Sequence, residues 1–223
     1  MLKDRNRLEK ILLFGSIALI SLIALVFKSD LLTTISSITG IITALLLAKG
    51  KNLGQVLGIL ITILYSIVSY NNKFYWEIIV YIFIMLPMYI IGIITWIKHK
   101  NEKTNTVEVN KISKKEFLIV SIISIFILMW IYFLLKSFNT NELIISTASV
   151  IISLLAVYMQ IRRSRFSFYF YIINDLILIT LRWIPVLLWN LLVLPMVFNP
   201  IINLINDCYG VYNRKILETK QKS

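Results

Sequence analysis

The stretch FLIVSIISIFILMWIYFLL, residues Phe117–Leu135, decides the architecture, because it holds nineteen residues without a charge, a proline or a glycine. Coiled as an α-helix at about 1.5 Å per residue it is about 28 Å long, the depth of a bilayer's hydrocarbon core. It shows no alternation of polar and apolar positions, which argues against a barrel strand. Seven further segments pass the same test: Ile11–Phe27, Leu31–Ala48, Leu53–Tyr70, Ile78–Ile97, Leu143–Gln160, Phe166–Leu181 and Pro185–Tyr209. The predicted fold class is an all-α polytopic membrane protein with eight transmembrane helices.

The rest of the chain fits that reading. Hydrophobic residues make up 58% of the 223 and charged ones 15%, and the mean hydropathy is +0.82. Soluble domains run near 45–50% apolar and about 25% charged, so this chain lacks the polar surface to cover itself in water. That excludes an ordinary soluble enzyme and a disordered chain. A formal net charge of +12 in so apolar a protein marks either an anionic partner or one side of a membrane. Threading eight spans puts 19 of the 23 basic residues on one side: the N-terminus, Lys49 and Lys51, the stretch Lys98–Lys115, Arg162 to Arg165, and the C-terminal tail. Lys28, Lys73, Lys136 and Arg182 fall on the other side, one per loop. The positive-inside rule then places both termini in the cytoplasm. Five separate basic loops without interleaved aromatic residues do not make a nucleic-acid surface; the lipid bilayer is the expected partner. The basic N-terminus ahead of Ile11–Phe27 raises a cleaved leader as the alternative, but Ala24-Leu25-Val26-Phe27 offers no small-x-small cleavage site, so a retained anchor helix is expected.

Two triplets of spans carry similar punctuation. The first closes on Pro87-Met88-Tyr89-Ile90-Ile91-Gly92, then Trp96 and Lys98; the second closes on Asn206-Asp207-Cys208-Tyr209-Gly210, then Arg214 and Lys215. Each has a basic turn between its first two helices, at Lys49-Gly50-Lys51 and at Arg162-Arg163. One helix between the triplets makes them parallel repeats about an axis along the membrane normal, a 1+3+1+3 plan with the substrate expected between the repeats. The divisions are 1–30 for the anchor helix, 31–98 for the first repeat, 99–136 for a cytoplasmic linker and connecting helix, 137–215 for the second repeat, and 216–223 for a cytoplasmic tail.

Ala48-Lys49-Gly50-Lys51, Gly58, Tyr65, Tyr75-Trp76-Glu77, Tyr81, Pro87-Met88, Gly92 and Trp96 resemble the first repeat of the PnuC family of bacterial vitamin uptake proteins. Asn206-Asp207-Cys208-Tyr209-Gly210 is similar to that family's closing Asn-x-x-Tyr-Gly. The resemblance runs from about Leu31 to Lys215. It implies a SWEET-like 3+1+3 core in a bacterial-type plasma membrane, a homotrimer, and facilitated uptake of nicotinamide riboside with trapping by cytosolic phosphorylation. Thiamine, riboflavin or a deoxynucleoside are the alternative cargoes. Phe168 and Tyr171 stand where the family carries its Trp-x-x-Trp ring clamp.

Polar groups in hydrocarbon need partners, because each unsatisfied one costs several kcal/mol. Asn199, Asn203, Asn206 and Gly210 fall on one helical face beside Pro200. The stripe suits a ribose or carboxamide, with interhelical glue as the alternative. Phe168, Tyr171 and Asp175 share a face, with Asn174 beside the acid. Asp175 has four open roles: binding ribose hydroxyls, neutralising a cationic ring, carrying a proton, or a structural acid held by amides. Tyr209, Gln55 and Tyr65 complete the candidates, Gln55 being as well suited to a gate or an interface. Trp76 and Trp96, at span edges, are expected in the aromatic belts, and Arg182 in the outer turn. Thr33, Ser36, Gly40 and Thr43 read as a close-packing stripe. There is no Walker A loop, dinucleotide turn or HExxH, and one histidine (His99) and one cysteine (Cys208) cannot form a metal cluster or an internal disulfide. No cofactor, metal or catalytic residue is expected. A non-transporting scaffold and an intramembrane enzyme centred on Asp175 are the competing classes.

Overall fold

The computed structural model describes residues 7–71, 75–138, 142–187 and 194–222. Among these, the helices are α1 (Arg7–Phe27), α2 (Leu31–Ala48), α3 (Leu53–Asn71), α4 (Tyr75–Val80), α5 (Leu86–Lys98), α6 (Lys114–Ser137), α7 (Leu143–Ile161), α8 (Ser167–Leu187) and α9 (Leu194–Lys222). A two-stranded antiparallel hairpin, β1 (Lys100–Asn101) and β2 (Thr106–Val107), follows α5. Among the described residues six segments are long and apolar enough to cross a membrane: Arg7–Val26, Leu31–Ala48, Leu53–Asn71, Ile78–Lys98, Lys114–Ser137 and Leu143–Ile161. Ser167–Leu181 is a shorter apolar stretch.

Local chemistry sets the helix ends. Asp30 caps α2, its Oδ1 accepting from the Thr33 backbone N–H at 2.8 Å, and Ser113 caps α6 by accepting from Glu116 N–H at 3.1 Å. Helix α2 closes on Gly50 at φ +69°. Gly50 N–H reaches Leu47 O and Lys51 N–H reaches Leu46 O, the paired bonds of a Schellman turn. A π-helical turn, Tyr81–Met85, joins α4 to α5, with Leu86 N–H bonded to Tyr81 O. Pro87 explains the wider turn: it has no N–H and its ring crowds the carbonyl four residues back, so the chain takes up the register upstream.

Packing closes a ring. Helix α2 contacts α3, α3 contacts α5, α5 contacts α7, α7 contacts α8, α8 contacts α9, and α9 returns to α2. Helix α1 lies outside the ring against α2 and α9, and α6 lies outside against α7. The outer helices expose their apolar faces: α6 buries Ile131 and Leu135 but exposes Phe117, Leu118, Phe126 and Phe133. A face of that size is unlike the surface of a water-soluble monomer and suits acyl chains. Glu9 pins α1 to the ring, accepting from Lys49 Nζ at 2.7 Å and from the Tyr209 hydroxyl at 2.5 Å.

The basic loops gather at one end of the bundle. The lysine-rich stretch read as a linker is folded there: Val107 N–H bonds Gly50 O at 2.8 Å, Asn110 N–H bonds Arg163 O, and Gln221 accepts from Val109 N–H. Helix α9 runs on to Lys222, through the stretch read as a tail. The boundary expected at Pro185 lies elsewhere, since Pro185 falls within α8 and α9 begins at Leu194. Hydropathy is continuous across this region and gives no break to read. The side chains of Trp76 and Arg182 lie outside the described ones.

Candidate functional site

A cavity of about 310 Å³ lies inside the six-helix ring and takes side chains from every ring helix. Five aromatic rings line it: Tyr65 from α3, Tyr81 from the π turn, Tyr89 from α5, and Phe168 and Tyr171 from α8. Tyr65 and Tyr81 stack with centroids 5.9 Å apart and planes 24° apart. Phe168 and Tyr171 lie 6.2 Å apart at 58°. The Tyr171 hydroxyl donates to Gln160 Oε1 at 2.7 Å, tying α8 to α7.

Glycine sets the depth of two of these rings. A Cβ on Gly58 would stand 2.3 Å from the Tyr89 ring, and one on Gly210 would stand 2.3 Å from the Phe168 ring. Only the missing side chain lets each aromatic lie flat on the neighbouring helix.

The polar lining is acidic and amidic. Asp175 from α8 and Asp207 from α9 are both buried and both line the cavity. Asn174 accepts from Ser149 Oγ at 2.8 Å, and Asn203 reaches the cavity from α9. Thr43, Thr62 and Ser153 add hydroxyls. Among the described residues no lysine, arginine or histidine lines this space.

Toward the basic end the ring is plugged. Trp96, expected in an aromatic belt, is 1% exposed and donates its indole N–H to Gln160 O at 2.9 Å. The Arg214 guanidinium stands 4.9 Å from the Trp96 ring and 5.9 Å from Phe168, and donates to Leu47 O at 2.8 Å. Beyond the plug a wider depression of about 590 Å³ opens between the α2–α3 turn and the hairpin, lined in part by Lys49, Lys51 and Lys100.

Of the residues singled out from the sequence, Tyr65, Phe168, Tyr171, Asn174, Asp175 and Asn203 line the cavity. Four stand elsewhere. Gln55 is buried against Gly92, whose added Cβ would meet its Oε1 at 2.6 Å. Asn199 donates to Ser37 Oγ at 3.4 Å, linking α9 to α2. Asn206 is 1% exposed and outside the cavity lining, and Tyr209 turns to Glu9. The amide stripe does face inward, but the cavity meets it only at Asn203. Tyr81, quoted with the family motif, also lines the cavity, as do Asp207 and Tyr89, which were not among the candidate binding residues. Asp207 had a readable signal: it is an ionisable group inside an apolar stretch, four residues after Asn203 and so on the same helical face. Gly40 and Thr43, read as packing, also line the cavity.

A closed ring of apolar helices around one aromatic and polar chamber is the build of a polytopic membrane carrier of small solutes. The sequence model of the family described as nicotinamide mononucleotide transporter matches residues 30–215, and the chain belongs to that family. It is 24% identical over 203 residues to the nicotinamide riboside transporter PnuC of Neisseria mucosa, a match covering 87% of this chain and 76% of the relative. The fold is similar to that in the crystal structure of the vitamin B3 transporter PnuC, with a TM-score of 0.79, 21% identity, and coverage of 97% of this chain and 94% of that one.

Proposed function

We propose that this chain takes up nicotinamide riboside across a bacterial-type plasma membrane. The observation that carries the reading is the lining of the ring cavity: five aromatic rings, two carboxyls, two amides and no described basic group. A volume of about 310 Å³ is at the small end of the range for small-molecule sites. The aromatic faces suit a flat cationic pyridine ring, the carboxyls complement its charge, and the amides and hydroxyls suit ribose and carboxamide. A phosphate would meet two acids and, among the described lining residues, no lysine, arginine or histidine, which favours the nucleoside over the nucleotide as cargo. Phe168 and Tyr171 hold the ring, Tyr65 and Tyr81 close it from the first repeat, and Asn203, Asn174 and Asp175 take the polar part.

Eight spans in a 1+3+1+3 order, with both termini cytoplasmic, fit the ring contacts. In this reading α2, α3 and α4–α5 form one repeat and α7, α8 and α9 the other, with α1 and α6 outside. Rocking one triplet against the other exposes the cavity alternately, and the Trp96–Arg214–Phe168 plug is the cytoplasmic barrier. No ATP motif stands in the sequence, so transport follows the gradient kept by cytosolic phosphorylation. The assembly is the homotrimer that the family resemblance implies.

Purified protein in liposomes tests the substrate. Saturable uptake of labelled nicotinamide riboside supports the reading, and its absence overturns it. Uptake of thiamine, riboflavin or a deoxynucleoside instead would replace the cargo. Asn203→Leu separates a transporter from a scaffold, because a scaffold tolerates the change and a transporter loses uptake while still expressing.

A further inference from the structure

We propose that Trp96 and Arg214 are the matching halves of one reciprocal latch: as positioning residues they hold the basic end of the ring shut, and each turnover requires both their bonds to break. The proposal rests on the carrier reading above, in which the two triplets move against each other, and adds what fastens them. Trp96, in the last turn of α5, donates its indole N–H at 2.9 Å to Gln160 O in the last turn of α7. Arg214 on α9 donates Nη2–H at 2.8 Å to Leu47 O in the last turn of α2. Asn213 Nδ2 supports that second bond by donating to Ala48 O at 2.9 Å. The closing helix of each triplet thus holds the opening helix of the other.

The two bonds occupy equivalent places. Leu47 lies three residues before Gly50 and Gln160 three before Arg163, and both turn residues take a positive φ, +69° and +62°. Gly92 lies four residues before Trp96, and Gly210 four before Arg214. Gly92 leaves room for Gln55, five residues past Gly50, and Gly210 for Phe168, five past Arg163. Each turn also sends an N–H to the carbonyl that the latch uses, Gly50 to Leu47 O and Arg163 to Gln160 O. Breaking a latch bond therefore strips neither carbonyl of its last partner. Closure, in contrast, leaves polar groups unpaired. Arg214 Nε and Nη1, Gln160 Nε2 and both amide atoms of Gln55 are buried and have no hydrogen-bond partner among the described residues. Such groups are costly in a dry interior, and water entering an opened end would satisfy them. The two bonds favour the shut end and the unpaired groups favour opening it, which poises this end of the ring to switch.

A thiol in the chamber reads the latch directly. Ser153→Cys, on a cavity-lining position of α7, is placed in a Cys208→Ala background and labelled with a membrane-impermeant maleimide in inverted vesicles and in spheroplasts. Lys103→Cys, in the exposed hairpin turn, reports which preparation exposes the basic end. Trp96→Phe keeps the ring and removes the N–H, and Arg214→Met keeps the length and removes the donors. Each should speed labelling from the basic end by about three- to tenfold, the shift expected of one hydrogen bond, without speeding it from the other end. Arg214→Lys, which can still donate to Leu47 O, should stay within about twofold of the parent rate. If Arg214→Met does not fold, Arg214→Gln, whose shorter amide stops short of Leu47 O, takes its place. A rise in only one of the two single variants, no rise in either, an equal rise from both ends, or Arg214→Lys labelling as fast as Arg214→Met refutes the latch. The labelling needs no riboside, so failure of the riboside reading leaves the test standing. If the hairpin thiol labels in spheroplasts instead, the cytoplasmic assignment of the basic end fails and the latch is read with the two preparations exchanged.

Discussion

Gly210→Ala puts a methyl group where the Phe168 ring lies. The added Cβ would stand 2.3, 2.4 and 2.8 Å from three ring carbons. Carbon atoms pack at about 3.5–4.0 Å, so the ring has to retreat by about 1.2 Å or more. Retreat toward the basic end is blocked by the Arg214 guanidinium, 5.9 Å from that ring, which is itself backed by Trp96. Tyr171 is tethered through its hydroxyl to Gln160. The free direction is the cavity, which Phe168 already lines. Overpacking of this kind costs about 1–3 kcal/mol. If the ring moves into the space the ligand occupies, affinity falls by about five- to 150-fold, at about 1.4 kcal/mol per decade. Calorimetric titration of the purified variant with nicotinamide riboside measures the loss, and the melting temperature without ligand reports how much of the strain falls on the fold. Unchanged affinity together with an unchanged melting temperature would refute the packing of Phe168 on Gly210 and the place of that ring in the binding chamber.

Asn203→Leu should weaken riboside binding at least tenfold, about 1.4 kcal/mol, whereas Asn199→Leu, whose amide meets Ser37 at 3.4 Å outside the cavity, should leave it within about threefold; parallel titrations compare the two. Glu9→Gln removes the charge that Lys49 and Tyr209 share, and should destabilise by about 1–3 kcal/mol, seen as a lower melting temperature with riboside affinity unchanged. Glu116→Gln loosens the two bonds from Arg162 at 2.5 and 2.8 Å. Because these side chains are 20% and 40% exposed, the loss should stay below about 1 kcal/mol and shrink further in high salt, a point that thermal melts at two ionic strengths resolve.

The parts legible in the sequence are those that one property decides locally. A charge-free run of nineteen residues such as Phe117–Leu135 commits to a helix in lipid whatever its neighbours do, and six of the stretches read as spans coincide with helices long and apolar enough to cross. Phe168, Tyr171 and Asp175 were found together because helical spacing puts them on one face, and that face is the one turned to the cavity. The break between α8 and α9 was illegible because the chain stays apolar on both sides of Pro185. The hairpin at Lys100–Val107 is too short to show a period and owes its place to Gly50 and Gln221, which are distant in sequence. Tyr89 was hidden for a related reason, since the π turn at Tyr81–Met85 shifts the helical register between it and Tyr81. Trp96 looked interfacial by position, yet Gln160 and Arg214 close over it, a burial that depends on three helices meeting.

The central claim is that the cavity carries nicotinamide riboside and excludes its phosphorylated form. Initial-rate uptake into liposomes holding the purified protein, with labelled riboside outside and either unlabelled riboside or nicotinamide mononucleotide as competitor, tests it most directly. The account predicts saturable uptake that unlabelled riboside abolishes and that an equal concentration of the mononucleotide leaves nearly intact. Equal competition by the mononucleotide, or no saturable uptake at all, contradicts it.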